Sequence, residues 1–197
     1  MSDAPLSPQR LDRFARHIVL PEIGGAGQVA LTTKHVVIVG LGGIGSPALQ
    51  YLAAAGIGRF TLIDDDTVDF SNLQRQTIFT SRDVGHGKAT SARRWLANFD
   101  DTLSVEISDA RISAANAASL IEDASLVLDG TDNFATRLAV SDACVLTHVP
   151  LLSAAVVGFR GKSGRSQATF PINPVTAALL GMHSTRKTAT LAPKMAC

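Results

Sequence analysis

The hexapeptide Gly40-Leu41-Gly42-Gly43-Ile44-Gly45, set directly behind the apolar run Val36-Val-Ile-Val39, constrains this chain more than any other feature. Four hydrophobic residues in an unbroken row, ended by glycine, fit a strand buried on both faces, as in a parallel sheet. The glycines let the chain turn tightly out of that strand. Ala48, Leu49, Leu52 and Ala53 then recur at helical spacing up to Gly56. Strand, glycine turn and helix form the geometry in which backbone N–H groups face a phosphate. The same turn also serves, without a ligand, in other α/β proteins.

Strands and helices alternate behind it. Arg59–Ile63, Leu103–Ile107, Ser125–Leu128 and Pro150–Val157 are expected as strands, and Lys88–Phe99, Ala114–Ile121 and Asn133–Val145 as helices. Ahead of the turn, Ser7-Pro8 starts a helix that places Leu11, Phe14, Ala15 and Ile18 on one face. That helix is expected to end near Leu20-Pro21, with Ile23-Gly-Gly-Ala-Gly27 as loop. The alternation predicts a doubly wound α/β domain with a mainly parallel sheet, a Rossmann-like nucleotide-binding half and an N-terminal helix. From Gly161 onward no clear period survives, so residues 161–197 are expected to be an irregular, atypical and disordered tail behind a domain spanning 1–160.

At 197 residues with 46% hydrophobic and 18% charged side chains, the chain has room for one substantial core. A formal charge of +1 gives no reason to expect nucleic acid or an acidic membrane as partner. Met1–Arg16 is too polar for a secretory leader, and no apolar run approaches the ~18 residues that cross a bilayer. The two cysteines, Cys144 and Cys197, are too few for a disulfide framework, so a cytoplasmic setting is expected.

Chemistry concentrates where the parallel strands end. Asp64, closing the second strand, is placed to accept hydrogen bonds from ribose hydroxyls, a role that does not separate NAD from ATP. Asp65 reads equally well as a solvated turn residue. Asn72 and Arg75 fall in the loop at the same sheet edge, where a guanidinium offers a planar fork to phosphate oxygens. Lys88, after Gly85-His-Gly87, starts a helix and can reach the same anion. Asp132, in Asp129-Gly-Thr-Asp-Asn133, is placed to hold Mg²⁺ through one oxygen while phosphates and waters complete the shell. Taken singly, these are a surface Arg, a surface Lys and an Asp capping the next helix; taken together they point to a nucleoside triphosphate.

The order of Arg13-Phe-Ala-Arg-His-Ile-Val-Leu20, Gly40–Gly45, Asp64-x-Asp66, Ser71-Asn-Leu-Gln-Arg-Gln76, Gly87-Lys88 and Thr131-Asp-Asn133 resembles the MoeB/ThiF/HesA family, bacterial relatives of ubiquitin-activating enzymes. The likeness spans residues 8–160. It implies adenylation of the C-terminal glycine carboxylate of a small ubiquitin-like sulfur carrier ending in Gly-Gly, of the molybdopterin or thiamine type, with Mg²⁺ and ATP and release of pyrophosphate. It further implies that Gly40, Gly42, Gly43, Gly45, Asp64, Asp66, Ser71, Asn72, Leu73, Gln74, Arg75, Lys88, Asp132 and Asn133 form the ATP site. Asp132 would hold magnesium, and Arg16 would act across a homodimer interface; with Arg75, Lys88 and Asp132 it completes the catalytic set. The rival expectations are an NAD-dependent oxidoreductase using the same turn and an inactive ATP-binding remnant.

The family also carries paired Cys-x-x-Cys ligands for zinc, and these cysteines are absent here. Cys144 falls inside a predicted helix and reads as a small buried hydrophobe. The departure predicts a truncated or frameshifted C-terminus. Asn173-Pro-Val-Thr-Ala-Ala178 can be encoded AAC CCT GTT ACC GCT GCC. From the third base this gives Pro-Cys-Tyr-Arg-Cys, the zinc-knuckle pattern. The gene is expected to encode that pentapeptide in the neighbouring frame, and DNA sequencing that finds codons unable to do so refutes the frameshift.

Overall fold

The computed structural model describes residues 6–157 and 160–166. The chain opens with three short helices, α1 (Pro8–Arg13), α2 (Ala15–Ile18) and α3 (Gly24–Thr32). It continues through β1 (His35–Val39), α4 (Gly45–Ala55), β2 (Arg59–Ile63), α5 (Lys88–Phe99), β3 (Ser104–Ser108) and α6 (Ala117–Ile121). β4 (Leu126–Asp129), α7 (Phe134–Thr147), β5 (Leu151–Val157) and β6 (Arg160–Ser166) follow. The six strands form one sheet in the order β3-β2-β1-β4-β5-β6. All neighbours are parallel except the terminal β5–β6 pair.

β1 is buried at all five positions, as its unbroken apolar run requires. Its side chains alternate between two cores. Val36 and Ile38 pack with Leu49 and Leu52 of α4 and with Ala89, Ala92 and Leu96 of α5. Val37 and Val39 pack with Ile121 of α6 and with Val140, Ala143 and Cys144 of α7. The sheet is therefore covered on both faces, and the doubly wound, mainly parallel fold is observed. Among the described residues, no helix is long and apolar enough to cross a membrane.

The amino-terminal segment departs from expectation. Ser7 caps α1 through its hydroxyl, with Pro8 in the first turn, but the helix breaks at Phe14 instead of running to Leu20. Phe14 is buried, so the chain bends to deliver that ring to the core. The predicted loop at 23–27 is instead the start of α3. Packing overrides the poor helix propensity of its glycines. Gln28, fully buried, donates from Nε2 to Ala55 O (3.0 Å) and accepts from the His17 ring (3.0 Å), while Leu31 joins the core. A second departure lies at 160–166, where the polar stretch Arg-Gly-Lys-Ser-Gly-Arg-Ser pairs antiparallel along β5 from Leu151 to Val157. A polar edge strand leaves no hydrophobic period to read. Residues 167–197, including Cys197 and the 173–178 segment, lie outside the described residues.

Asp100 fastens α1 to the end of α5. Its carboxylate takes Arg13 at 3.3 Å and Arg10 at 3.7 Å and accepts from Thr102 N (3.1 Å) and Oγ1 (2.6 Å). Burial opposes its ionisation and is the largest single influence. The Thr102 hydrogen bonds and the two guanidinium charges together outweigh it, holding the carboxyl below its ordinary value. A carboxyl depressed in the fold contributes stability above the unfolded value of ~4, and loses it as pH falls through the lower folded value. Asp100→Asn is therefore expected to be less stable than wild type at pH 7, with the gap closing below pH ~4 in urea titrations.

Candidate active site

The carboxyl ends of β1, β2, β4 and β5 open into a cleft of about 860 Å³. Its floor begins at the glycine turn. Gly40 has φ +84°, open to glycine at little cost, and a Cβ on Gly45 would lie 1.8 Å from Gly40 O. Gly45 thus lets α4 start against the end of β1 but is itself buried behind the cleft.

Asp64 stands at the centre. Its Oδ2 accepts from Leu41 N at 2.6 Å and its Oδ1 from Asp66 N at 2.9 Å, so one carboxylate ties the glycine turn to the loop after β2. Burial raises its pKa, with the Leu41 N–H, the Lys88 charge and the Asp66 N–H pulling the other way. Each oxygen keeps a lone pair for a further donor.

Lys88 begins α5 with its side chain 7% exposed, and its Nζ meets Asp66 Oδ2 at 2.8 Å. Arg75 lies over Gly43, its Cδ 3.2 Å from where a Cβ would stand. Its guanidinium donates to Asn72 Oδ1 (3.0 Å) and Ser71 O (3.4 Å). Asp132 is exposed on the opposite lip and makes no hydrogen bond or ion pair among the described residues. The helix cap considered for it belongs to Asn133, whose Oδ1 accepts from Ala135 N (2.9 Å) and Thr136 N (3.2 Å).

Gly40, Gly42, Gly43, Asp64, Asp66, Asn72, Arg75, Lys88, Asp132 and Asn133 thus line one cleft, as does Asp65. Ser71, Leu73 and Gln74 do not: Ser71 supports Arg75 through its carbonyl, Leu73 packs on the core, and Gln74 is exposed. Arg16, exposed on α2, does not line the cleft either. Gln76, Arg111 and Arg137 line it without having been singled out from the sequence. Gln76 is buried at 2% exposure beside Gly42, one residue past Arg75 in the quoted motif. Arg111 follows β3 at the same sheet edge, where the position rule for α/β sheets could have found it. Arg137 stands four residues past Asn133, at the spacing that places two residues on one helix face.

Residues 14–195 match the ThiF family. The chain belongs to this family. It is 41% identical over 158 residues to the SAMP-activating enzyme E1 of Haloferax volcanii, covering 80% of this chain and 58% of that protein. It is 42% identical over 154 residues to the sulfur carrier protein adenylyltransferase of Thermus thermophilus, covering 78% and 57%. The chain thus spans less than three-fifths of the length of these relatives. Among solved structures it resembles the E. coli tRNA N6-threonylcarbamoyladenosine dehydratase TcdA in complex with ATP, with a TM-score of 0.71 and 28% identity over 76% of this chain and 61% of that one.

Cys144, inside α7, is 3% exposed. Burial, with the nearby Asp129 charge, pushes its thiol up to about 12, which excludes a thiolate at neutral pH. In a Cys197→Ser chain, Cys144 is expected to be inert to a disulfide reagent at pH 8 until denaturant unfolds the domain, and rapid labelling of the folded chain would contradict its burial.

Proposed function

We propose that residues 1–160 form an ATP-binding adenylyltransferase domain that activates the C-terminal carboxylate of a ubiquitin-like sulfur carrier in the cytoplasm. The observation that carries this is the meeting of Asn72, Arg75, Lys88 and Asp132, from three separate segments, on the cleft of the glycine turn. A hydride-transfer site would leave Arg75, Lys88 and Asp132 without a task. The family membership, and the names of relatives near 40% identity, support adenylation of a carrier. The ATP complex of the TcdA neighbour supports ATP as the nucleotide, while the dehydration of a tRNA nucleoside in its name does not carry over.

Asp64 would accept from the ribose hydroxyls through its remaining lone pairs. Arg75 and Lys88 would neutralise the triphosphate, with Asn72 holding the Arg75 fork in place. A carboxylate oxygen of the carrier then attacks the α-phosphorus; the bond to the β-phosphate oxygen breaks, and pyrophosphate leaves with that electron pair. The attacking carboxylate is already ionised, so the chain supplies no base, and catalysis is positioning plus charge stabilisation. Asp132, a single accessible carboxylate, fits Mg²⁺ bound mainly by phosphates and waters. That ion would offset the charge growing on pyrophosphate. Arg16, outside its own cleft, is assigned to the neighbouring site of a homodimer.

Carrier-dependent exchange of labelled pyrophosphate into ATP tests this. Asp132→Ala is expected to lose at least ~10²-fold in exchange with its unfolding midpoint unchanged. Arg16→Ala and Arg75→Ala should each be inactive. Mixed one to one, they should recover about a quarter of wild-type exchange, because half the dimers then hold one intact site. Tight NADH fluorescence without exchange would select the oxidoreductase, and ATP binding without exchange the inactive remnant.

A further inference from the structure

We propose that Arg137 is a positioning residue that, with Asp129, presets Asp132 for its cation; this rests on the adenylation reading above. β4 leaves the sheet at Asp129 while β5 runs on to Val157. Val127 N donates to Pro150 O, and the alternation of a parallel ladder turns Ala154 O toward the side that β4 has vacated. Arg137 takes that carbonyl with Nη2 and takes Thr131 O with Nε at 2.8 Å. The guanidinium thereby replaces the missing strand and ties the departing loop to β5.

Asp129 grips the same residue from the other side. Its carboxylate is 1% exposed, accepting from Thr131 N (3.0 Å) and Thr131 Oγ1 (2.7 Å) on Oδ1 and from Ser153 Oγ (2.9 Å) on Oδ2. Arg137 Nε stands 3.9 Å from that Oδ2. Thr131 is therefore held at its N–H, hydroxyl and carbonyl, and Asn133 is fixed as the cap of α7. Asp132 lies between two pinned neighbours with an uncommitted carboxylate. Its backbone is ordered on folding, so cation binding does not have to order it. A fork reaching two carbonyls at once suits arginine and not lysine.

The test titrates Mg²⁺ into wild type, Arg137→Ala, Arg137→Lys and Asp132→Ala, reading binding of a fluorescent ATP analogue, with amide hydrogen exchange followed on the nucleotide-free proteins. Both Arg137 variants are expected to need roughly 10-fold more Mg²⁺, while metal-free nucleotide affinity stays within about twofold. Exchange at residues 131–132 should rise on the order of 10-fold, with β1 and α5 unchanged. In an Asp132→Ala background, Arg137→Lys should add nothing. An unaltered Mg²⁺ requirement, or a full additional loss on top of Asp132→Ala, overturns the positioning role and leaves the adenylation reading standing. Wild-type protein whose nucleotide binding ignores Mg²⁺ overturns both.

Discussion

The carboxylate of Asp64 is the contact on which the cleft depends. It joins the N–H of Leu41, in the glycine turn, to the N–H of Asp66, so the ends of β1 and β2 hold a fixed relation. From Asp66 the chain of contacts continues: its carbonyl accepts from Lys88 N at 2.9 Å and its carboxylate from Lys88 Nζ at 2.8 Å. Thr67 and Gly87 bridge beside them. One buried acid therefore sets where α5 begins and where its cation stands. The arrangement has a cost, because burial disfavours the ionised form of Asp64. Two N–H bonds and a nearby ammonium offset part of it, burial still leaving the pKa raised, without exhausting the lone pairs.

Topology explains why the remaining groups come from so far apart in sequence. β2 and β3 lie to one side of β1, and β4, β5 and β6 to the other. The helices divide in the same way: α4 and α5 pack in the core of Val36 and Ile38, α6 and α7 in the core of Val37 and Val39. The connections after β1 and after β4 therefore leave for opposite faces, and a crevice opens between them. Gly40, Gly42, Gly43 and Ile44 form one wall and Thr131–Asn133 the other.

The parts of this structure visible in the sequence are those governed by local periodicity. β2 and α5 have the bounds expected of them, Arg59–Ile63 and Lys88–Phe99, because β2 is a short, almost continuously buried run and the buried residues of α5 recur at helix spacing. α3 was hidden because Gly24, Gly25 and Gly27 argue locally for a loop, while the stabilising contacts of Gln28 come from His17 and Ala55. β6 was hidden because an edge strand needs only a neighbour. The cationic and acidic side chains after β2 and β4 were legible, since the edge rule places loop residues without knowledge of packing. Gln76 and Arg137 were not, because a glutamine beside a glycine turn and an arginine in a helix acquire their positions only from tertiary contacts.

Charge in the cleft is largely committed before any ligand arrives. Arg75 is held by Asn72 and Ser71 and Lys88 by Asp66, while Arg137 is engaged in bracing two backbone carbonyls rather than facing the anion. Side chains pinned this way need little reorganisation when an anion enters, which is where electrostatic stabilisation gains most. The Lys88 pair differs from the other two. Asp66 is 71% exposed and Lys88 only 7%, so the partner that can turn to solvent is the acid. A triphosphate oxygen can therefore take over the ammonium without pulling Lys88 from its buried seat, and the charge of Asp66 moves into water, where solvation is cheapest. Asp132 has the reverse character: it is exposed, has no partner among the described residues, and belongs to a loop pinned on either side. The cleft thus presents cations that are already placed and, at Asp65 and Asp132, carboxylates left open among the described residues, the division of labour that a metal-bound triphosphate requires.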